Sequence, residues 1–329
     1  MANEPKGSTS GRMHDAVTRR KFLGTTLVGG VTVLTGGFPK FMMAATDEVK
    51  TTFAIGGDLN VNRLGYGAMQ ITGQGVWGWP SDRENALKVL RRAIELGVNL
   101  IDTADAYGPE VSELLIAEAL HPYPTGLVIA TKGGLTRPGP GQWVPNGRPE
   151  YLTKCVENSL KRLKLDRIDL WQLHRIDHKV PVEESLGAIK KLQDAGKIRH
   201  VGLSEVSIKE IERAKKVVPI VSVQNEYNVE DRKSEDVLAY CEKANLGFIP
   251  WFPLGGKGSS LIKTDGPLAG EAKSHSCTPA QLALAWLSQK SPVMLPIPGT
   301  SSLKHLEENV AAAKIQLTQD EWKKIEALV

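Results

Sequence analysis

From Val61 onward the chain repeats one pattern, a short β-branched or apolar run followed by an amphipathic stretch of helical period. The runs cover residues 63–67, 98–102, 127–131, 168–173, 198–203, 220–224, 247–251 and 293–297. Between them lie helical faces such as Ala86, Val89, Leu90, Ala93 and Leu96, or Leu186, Ile189 and Leu192. Eight βα units in succession predict a closed (β/α)8 barrel of the TIM type, an α/β fold built as a single domain. An open, doubly wound sheet is the alternative, but no G-x-G-x-x-G turn follows the first run, which argues against a dinucleotide-binding sheet. Ahead of the first barrel strand, residues 51–55 and 59–62 flank Gly56-Gly57-Asp58 and read as a β-hairpin closing the barrel floor.

The repeat does not include the N-terminus. Arg19-Arg20-Lys21 stands directly before an apolar stretch rich in Gly and Thr that runs from Phe22 to about Leu34, the layout of a twin-arginine export signal. That stretch is short for a membrane span, which needs ~20 mostly apolar residues. The expected division is therefore 1–45 as signal and linker and 46–329 as the barrel, with the export machinery as a partner and a periplasmic or otherwise exported destination, a cytoplasmic fraction being the alternative. The 41 basic residues exceed the 37 acidic ones by only four, and part of that excess sits in the arginine cluster, so nothing marks a nucleic-acid-binding surface. Cys155, Cys241 and Cys277 are odd in number and far apart, fitting neither a disulfide framework nor a metal-ligand spacing; no metal is expected. A monomer is the default expectation.

In this fold, active sites form at the carboxyl ends of the strands. The polar residues there are Asp102, Lys132, His174, Ser204 with Glu205, and Gln224 with Asn225. Tyr107 lies just past the second strand, in Asp102-Thr103-Ala104-Asp105-Ala106-Tyr107-Gly108. A carboxylate beside a lysine holds its ammonium, and an ammonium beside a phenol lowers the phenol's pKa from ~10 by favouring the phenolate. Tyr107 is then expected to act as a general acid near neutral pH, with His174 orienting the same substrate oxygen. Each residue has a plainer explanation when taken singly: a helix cap, a rim lysine, a core histidine. Their coincidence at successive strand ends is harder to dismiss.

These residues resemble the catalytic tetrad of the aldo-keto reductase superfamily in order and spacing. The likeness runs on through Gly196-Lys197-Ile198-Arg199, Gly202-Leu203-Ser204-Glu205, Gln224-Asn225-Glu226-Tyr227-Asn228 and Pro296-Ile297-Pro298-Gly299-Thr300. Within the superfamily the chain looks most like bacterial pyridoxal-reductase-like members, on Asn62-Arg63-Leu64-Gly65-Tyr66-Gly67-Ala68-Met69-Gln70 and Phe252-Pro253-Leu254-Gly255-Gly256. The resemblance implies a reductase that delivers hydride from NADPH, with NADH as the alternative donor, to a small carbonyl substrate. It assigns the tetrad to Asp102, Tyr107, Lys132 and His174, with Tyr107 protonating the oxygen.

For the cofactor it implies that Ser204, Glu205 (where the family often has Asn) and Gln224 hold the carboxamide. Trp251, where the family usually has Tyr, would stack on the nicotinamide. Phe252, Pro253 and Leu254 would lie against the pyrophosphate, and Gly67, Ala68 and Met69 against the neighbouring ribose. At the adenosine end the family's lysine and arginine are replaced by Gly299 and His305. Thr300, Ser301, Ser302 and Lys304 remain as donors, and Glu308 and Asn309 match the adenine-contacting pair. Trp77, Trp79 and Trp143 fall in Gly- and Pro-rich loops after the first and third strands, where aromatics read as substrate walls. The rival readings are a non-catalytic NADPH-binding regulatory or sensor protein of the same fold, and a metal-dependent barrel hydrolase. The second would need several clustered ligands, of which only His174 is in place.

Overall fold

A computed structural model describes residues 51–256 and 258–328. The arginine pair and apolar stretch of the expected export signal lie outside the described residues. The first elements are the antiparallel strands β1 (Thr52–Ile55) and β2 (Leu59–Asn62), with Phe53 opposite Val61 and Ile55 opposite Leu59. Gly56 and Gly57 take the positive φ values that this tight reversal requires.

The remaining strands in chain order are β3 (Tyr66–Gly67), β4 (Leu100–Asp102), β5 (Val128–Gly133), β6 (Leu135–Thr136), β7 (Val144–Pro145), β8 (Ile168–Leu173), β9 (Ile198–Ser204), β10 (Ile220–Gln224) and β11 (Gly247–Phe248). β6 and β7 form a small antiparallel hairpin in the loop after β5. The other seven make one all-parallel sheet in the order β3-β4-β5-β8-β9-β10-β11. Helices follow the strands: α1 (Arg83–Glu95), α2 (Val111–Leu120), α3 (Pro149–Leu163), α4 (Val182–Asp194), α5 (Ile208–Lys215), α6 (Glu235–Ala244), α7 (Ala269–Ser274), α8 (Pro279–Lys290), α9 (Leu303–Ala311) and α10 (Gln319–Glu326). Their starts are written locally. Asp82 caps α1 by accepting from Asn85 N at 2.9 Å, and reciprocal capping boxes open α5 (Ser207, Glu210), α8 (Thr278, Gln281) and α10 (Thr318, Glu321).

The fold is the (β/α)8 barrel, with one correction to the strand expectations. Residues 293–297 do not make a regular eighth strand. They close the barrel as a seam: Leu295 N donates to Phe248 O at 2.8 Å on one side, and Gly65 N donates to Pro296 O at 2.9 Å on the other. Pro296 and Pro298 have no N–H to give, so a continuous ladder cannot form there. The seam is tight. A Cβ on Gly67 would stand 2.6 Å from Ile297 O, and one on Gly299 would stand 2.6 Å from Gly67 O, so both positions need glycine for packing. Below it, the buried Arg63 guanidinium donates to Met294 O (3.2 Å), Ser291 O (2.5 Å) and Ser288 O.

The barrel interior is a packed core. Leu100, Val128, Ala130, Leu170, Ile249, Leu295 and Ile297 from the strands meet Ile55, Leu59 and Val61 from the hairpin, which plugs the floor. Arg199 Nη2 and His200 Nε2 grip Asp58 of the hairpin turn at 2.7 and 2.6 Å. The outward faces pack under the helices in two further clusters around Trp171, Trp286 and Leu90. Only the carboxyl end of the barrel remains to hold chemistry.

Candidate active site

At that end, inward-pointing strand residues change from apolar to polar. Lys132, at 1% exposure on β5, donates from Nζ to Asp102 Oδ1 on β4 at 2.5 Å and to Thr103 O at 2.8 Å. Asp102 is equally buried. Its second oxygen accepts from Gln172 Nε2 on β8 at 3.1 Å and from Gln224 Nε2 on β10 at 2.8 Å. One carboxylate is thus held by donors from three strands, as a buried charge requires. Gln172 was missed in the sequence, although strand alternation puts it on the same face as His174. Gln224, assigned to the cofactor carboxamide, spends its amide protons on Asp102 and on Gln172 Oε1 (3.4 Å).

Tyr107 lies above this pair, with Lys132 Nζ 5.2 Å from its ring centroid. The expected lowering of its pKa is overturned in its net direction. Burial raises the phenol above its usual value, and the Lys132 ammonium, which acts in the expected sense, does not overcome it. Lys132 itself, pulled down by burial, is pushed up more strongly by Asp102 and Tyr107. Tyr107 is therefore a phenol, and Lys132 an ammonium, throughout the neutral range.

His174 meets Tyr107 edge-on at 5.8 Å between ring centroids. Burial, helped by the cations Lys132, Arg175 and Arg137, drives its pKa well below the ordinary value, so the imidazole is neutral. Trp143, at the tip of the β6–β7 hairpin, completes the group at 6.2 Å from Tyr107 and 6.3 Å from His174. Arg137, also missed in the sequence, stacks 3.5 Å from the Trp143 centroid and 5.4 Å from that of Trp77. It ties the two loops together by donating to Gln142 O, Val76 O and Ala106 O. Trp77 and Trp143 thus join one wall. Trp79 does not; it is 48% exposed and stacks on Arg83 of α1.

The remaining assigned residues ring the same mouth. Ser204 ends β9, and its Oγ accepts from Arg175 Nη1 at 3.0 Å. Glu205 has a left-handed φ of 55° and directs Oε1 at Trp251 Nε1 (2.6 Å) and Glu226 N (2.8 Å). That carboxylate oxygen is an acceptor that fixes the Trp251 ring. Phe252 packs on Trp251 at 4.6 Å with φ 51°, Pro253 is buried and Leu254 is half-buried. Ala68 is buried, its carbonyl accepting from Ser112 Oγ at 3.0 Å, whereas Met69 is half-exposed. Gly299 serves barrel closure, and Thr300 O receives the Tyr66 hydroxyl at 2.6 Å. Beyond it Ser302 caps α9 by accepting from His305 N at 3.3 Å. Ser301, Lys304 and His305 are exposed around that helix start, Glu308 is half-buried beside Lys304, and Asn309 is buried.

Behind the Tyr107 loop, Asp105, Arg137, Tyr151, Lys154, Cys155 and Arg162 line a cavity of about 250 Å³. Asp105 is buried, its Oδ1 without a hydrogen-bond partner, and its pKa is pushed up to about 7 by burial and by the charge of Glu113. Glu113 is itself held by Thr131 and Arg162 at 2.5 and 2.6 Å. Among the described residues, a group of histidine with carboxylates close enough to share an ion is Glu271, His275 and Glu321. It lies between α7 and α10, not at the strand ends, and Lys324 already pairs with Glu271 at 2.5 Å. The three cysteines are free.

A (β/α)8 barrel with a phenol, an ammonium, a carboxylate and a neutral imidazole converging at its carboxyl mouth has the makings of a carbonyl oxidoreductase. The chain belongs to the Aldo/keto reductase family, whose model matches residues 63–329, and is an NAD(P)H-dependent oxidoreductase. It is 52% identical over 270 residues to an uncharacterised oxidoreductase of Schizosaccharomyces pombe, covering 82% of this chain and 87% of that one. It is 44% identical over 275 residues to pyridoxine 4-dehydrogenase of Escherichia coli, covering 82% and 95%. Among solved structures it resembles the glycerol dehydrogenase of Gluconobacter oxydans, with TM-score 0.76, 27% identity, and 84% and 94% covered. It also resembles an aldo/keto reductase of Klebsiella pneumoniae in complex with NADP and acetate, with TM-score 0.72, 27% identity, and 85% and 95% covered.

Proposed function

We propose that this protein reduces aldehydes or ketones to alcohols with NADPH, and that Tyr107 is the general acid. The observation that carries the reading is the buried Lys132–Asp102 pair beneath Tyr107, facing a neutral His174. The residues fit the cofactor. Trp251 offers a half-exposed ring locked by Glu205, Ser204 offers a hydroxyl beside it, and the α9 start offers a helix N-terminus with Ser301, Ser302, Lys304 and His305 for a phosphate. The Klebsiella relative bound to NADP supports the same choice.

NADPH would supply the hydride to the carbonyl carbon. The chain's own part is to bind the carbonyl oxygen and neutralise it. Tyr107, kept protonated by burial, donates its proton to that oxygen. The phenolate left behind faces the Lys132 ammonium, whose charge is held in place by Asp102. His174, being neutral, can donate a hydrogen bond to the same oxygen without adding charge. The walls of Trp77 and Trp143 keep water from the proton transfer.

Tyr107→Phe keeps the ring and removes the proton. General acid catalysis contributes about 10²- to 10⁴-fold, so turnover should fall by at least about a hundredfold. NADPH binding, followed by quenching of cofactor fluorescence, should persist. A variant retaining more than about a tenth of wild-type turnover would show that another group donates the proton. Cofactor binding by the wild type without oxidation by any aldehyde would favour the regulatory alternative.

A further inference from the structure

Among the described residues, two guanidinium groups at the mouth have no carboxylate within ion-pair distance. Among other arginines partly or wholly out of water, Arg162 pairs with Glu113 and Glu110, Arg199 with Asp58 and Arg232 with Glu326, while Arg63 donates to the main-chain carbonyls of Met294, Ser288 and Ser291. For Arg137 and Arg175 no carboxylate among the described residues lies within ion-pair distance. A cation held partly out of water with no ion-pair partner is costly, and an incoming anion would offset that cost.

Arg175 follows His174 directly. Its Nη1 donates to His174 O at 2.7 Å and to Ser204 Oγ at 3.0 Å, which pins the guanidinium at the ends of β8 and β9, with Cζ 5.8 Å from the Trp251 ring centroid. Nε and Nη2 make no hydrogen bond among the described residues and are not sealed in the interior, so one edge of the fork is open. Glu205 and Glu226 act on it from a distance, but Glu205 Oε1 is engaged by Trp251 Nε1 and Glu226 N, and Glu226 pairs with Lys233. Arg137 stands on the other side, stacked against Trp143, its charge set behind the wall that faces Tyr107. Both cations reach the catalytic groups electrostatically: each depresses the basicity of His174, and Arg175 also acts on Tyr107. Burial in turn lowers the pKa of both guanidiniums without neutralising them.

We infer that Arg175, with the field of Arg137 behind Trp143, selects carbonyl substrates that carry an anionic group of carboxylate or phosphate type near the reacting carbonyl. This rests on the carbonyl-reductase reading above and adds to it a substrate charge. A guanidinium edge matches two anionic oxygens in one plane, which a neutral substrate cannot use.

The test compares benzaldehyde with 4-carboxybenzaldehyde and 4-formylphenyl phosphate, using wild type, Arg175→Met and Arg175→Lys with NADPH. The readout is the ratio of kcat/KM for each anionic aldehyde to that for benzaldehyde, so that a general loss of turnover cancels. In wild type the ratio should exceed unity by about ten- to a hundredfold for at least one anion, and the better of the two identifies the group. Arg175→Met should bring it to about one, Arg175→Lys should keep part of it, and added salt should shrink it in wild type. A wild-type ratio at or below one, or a preference that survives Arg175→Met, overturns the inference while leaving the reductase reading intact. Weakened NADPH binding in Arg175→Met with an unchanged ratio would assign the arginine to the cofactor and overturn it as well. If no aldehyde is reduced, the reductase reading fails. Quenching of tryptophan fluorescence by 4-carboxybenzaldehyde, stronger for wild type than for Arg175→Met or Arg175→Lys, then still decides whether Arg175 holds an anion.

Discussion

Asp105 sits between Thr103 and Tyr107 in sequence, is buried in the fold, and leaves Oδ1 without a partner. Its pKa in the folded protein is about 7, against an ordinary value near 3.8, chiefly because burial penalises the charge and secondly because Glu113 repels it. A raised acid pKa means that the folded state keeps a proton the unfolded chain has lost. The stability associated with that proton is fully present below the unfolded value and is lost as pH rises through the folded one. Stability should therefore decline between about pH 4 and pH 7 by up to ~4 kcal/mol, since each pH unit between the two values costs ~1.36 kcal/mol. Asp105→Asn should flatten that decline and leave the variant the more stable of the two at pH 8. Urea unfolding at intervals from pH 4.5 to 8.5 measures this, and parallel curves for the two proteins would show that Asp105 is ionised when folded. Nothing in the sequence marks this residue, because a carboxylate in a strand-end loop reads the same whether solvated or enclosed. The difference comes from Cys155 of α3 and Leu135 of β6, which wall in the same cavity.

At the level of elements, alternation of strand and helix was enough to read the barrel, since each βα unit needs an apolar strand and a one-sided helix whatever its function. The hairpin was legible from its paired glycines, and the floor contact followed from its position ahead of the first strand. The last strand was not. Residues 293–297 are as apolar as any other run, but Pro296 and Pro298 withhold the N–H groups a ladder needs, and only the close packing of Gly67 against Gly299 shows how the seam closes instead. The convergence of the proposed catalytic residues was legible because strand-end position and residue type coincide at Asp102, Lys132 and His174. Gln172 was not singled out, although its alternation with His174 was visible. Arg137 and Arg175 were hidden for a different reason: a loop arginine becomes a site residue only when the absence of a carboxylate around it can be seen. Nearness in sequence likewise hid the separation of Trp79 from Trp77, two positions apart yet stacked on different arginines.

For the whole molecule, we propose that residues 1–45 direct export. Replacing both Arg19 and Arg20 with Lys should leave the protein in the cytoplasm with its reductase activity unchanged, because the pair precedes every residue of the barrel. Fractionation of expressing cells reads this directly, and undiminished export of the double variant would remove the proposal. The plugged floor has its own kinetic meaning. With the barrel interior packed solid and Ile55, Leu59 and Val61 closing its floor, both reactants of the proposed reaction must enter and leave at the carboxyl mouth. On the proposed assignment the nicotinamide end, Ser204 and Gln224, is almost wholly buried, whereas Trp143 of the proposed substrate wall is 36% exposed, so the cofactor would lie deeper in the mouth than the carbonyl. We expect traffic through that one mouth to follow a compulsory order: cofactor in before carbonyl, alcohol out before cofactor. Product-inhibition patterns should show oxidised cofactor competing with NADPH and the alcohol failing to do so; an alcohol that competes with NADPH would show that it binds the cofactor-free enzyme and would overturn that order.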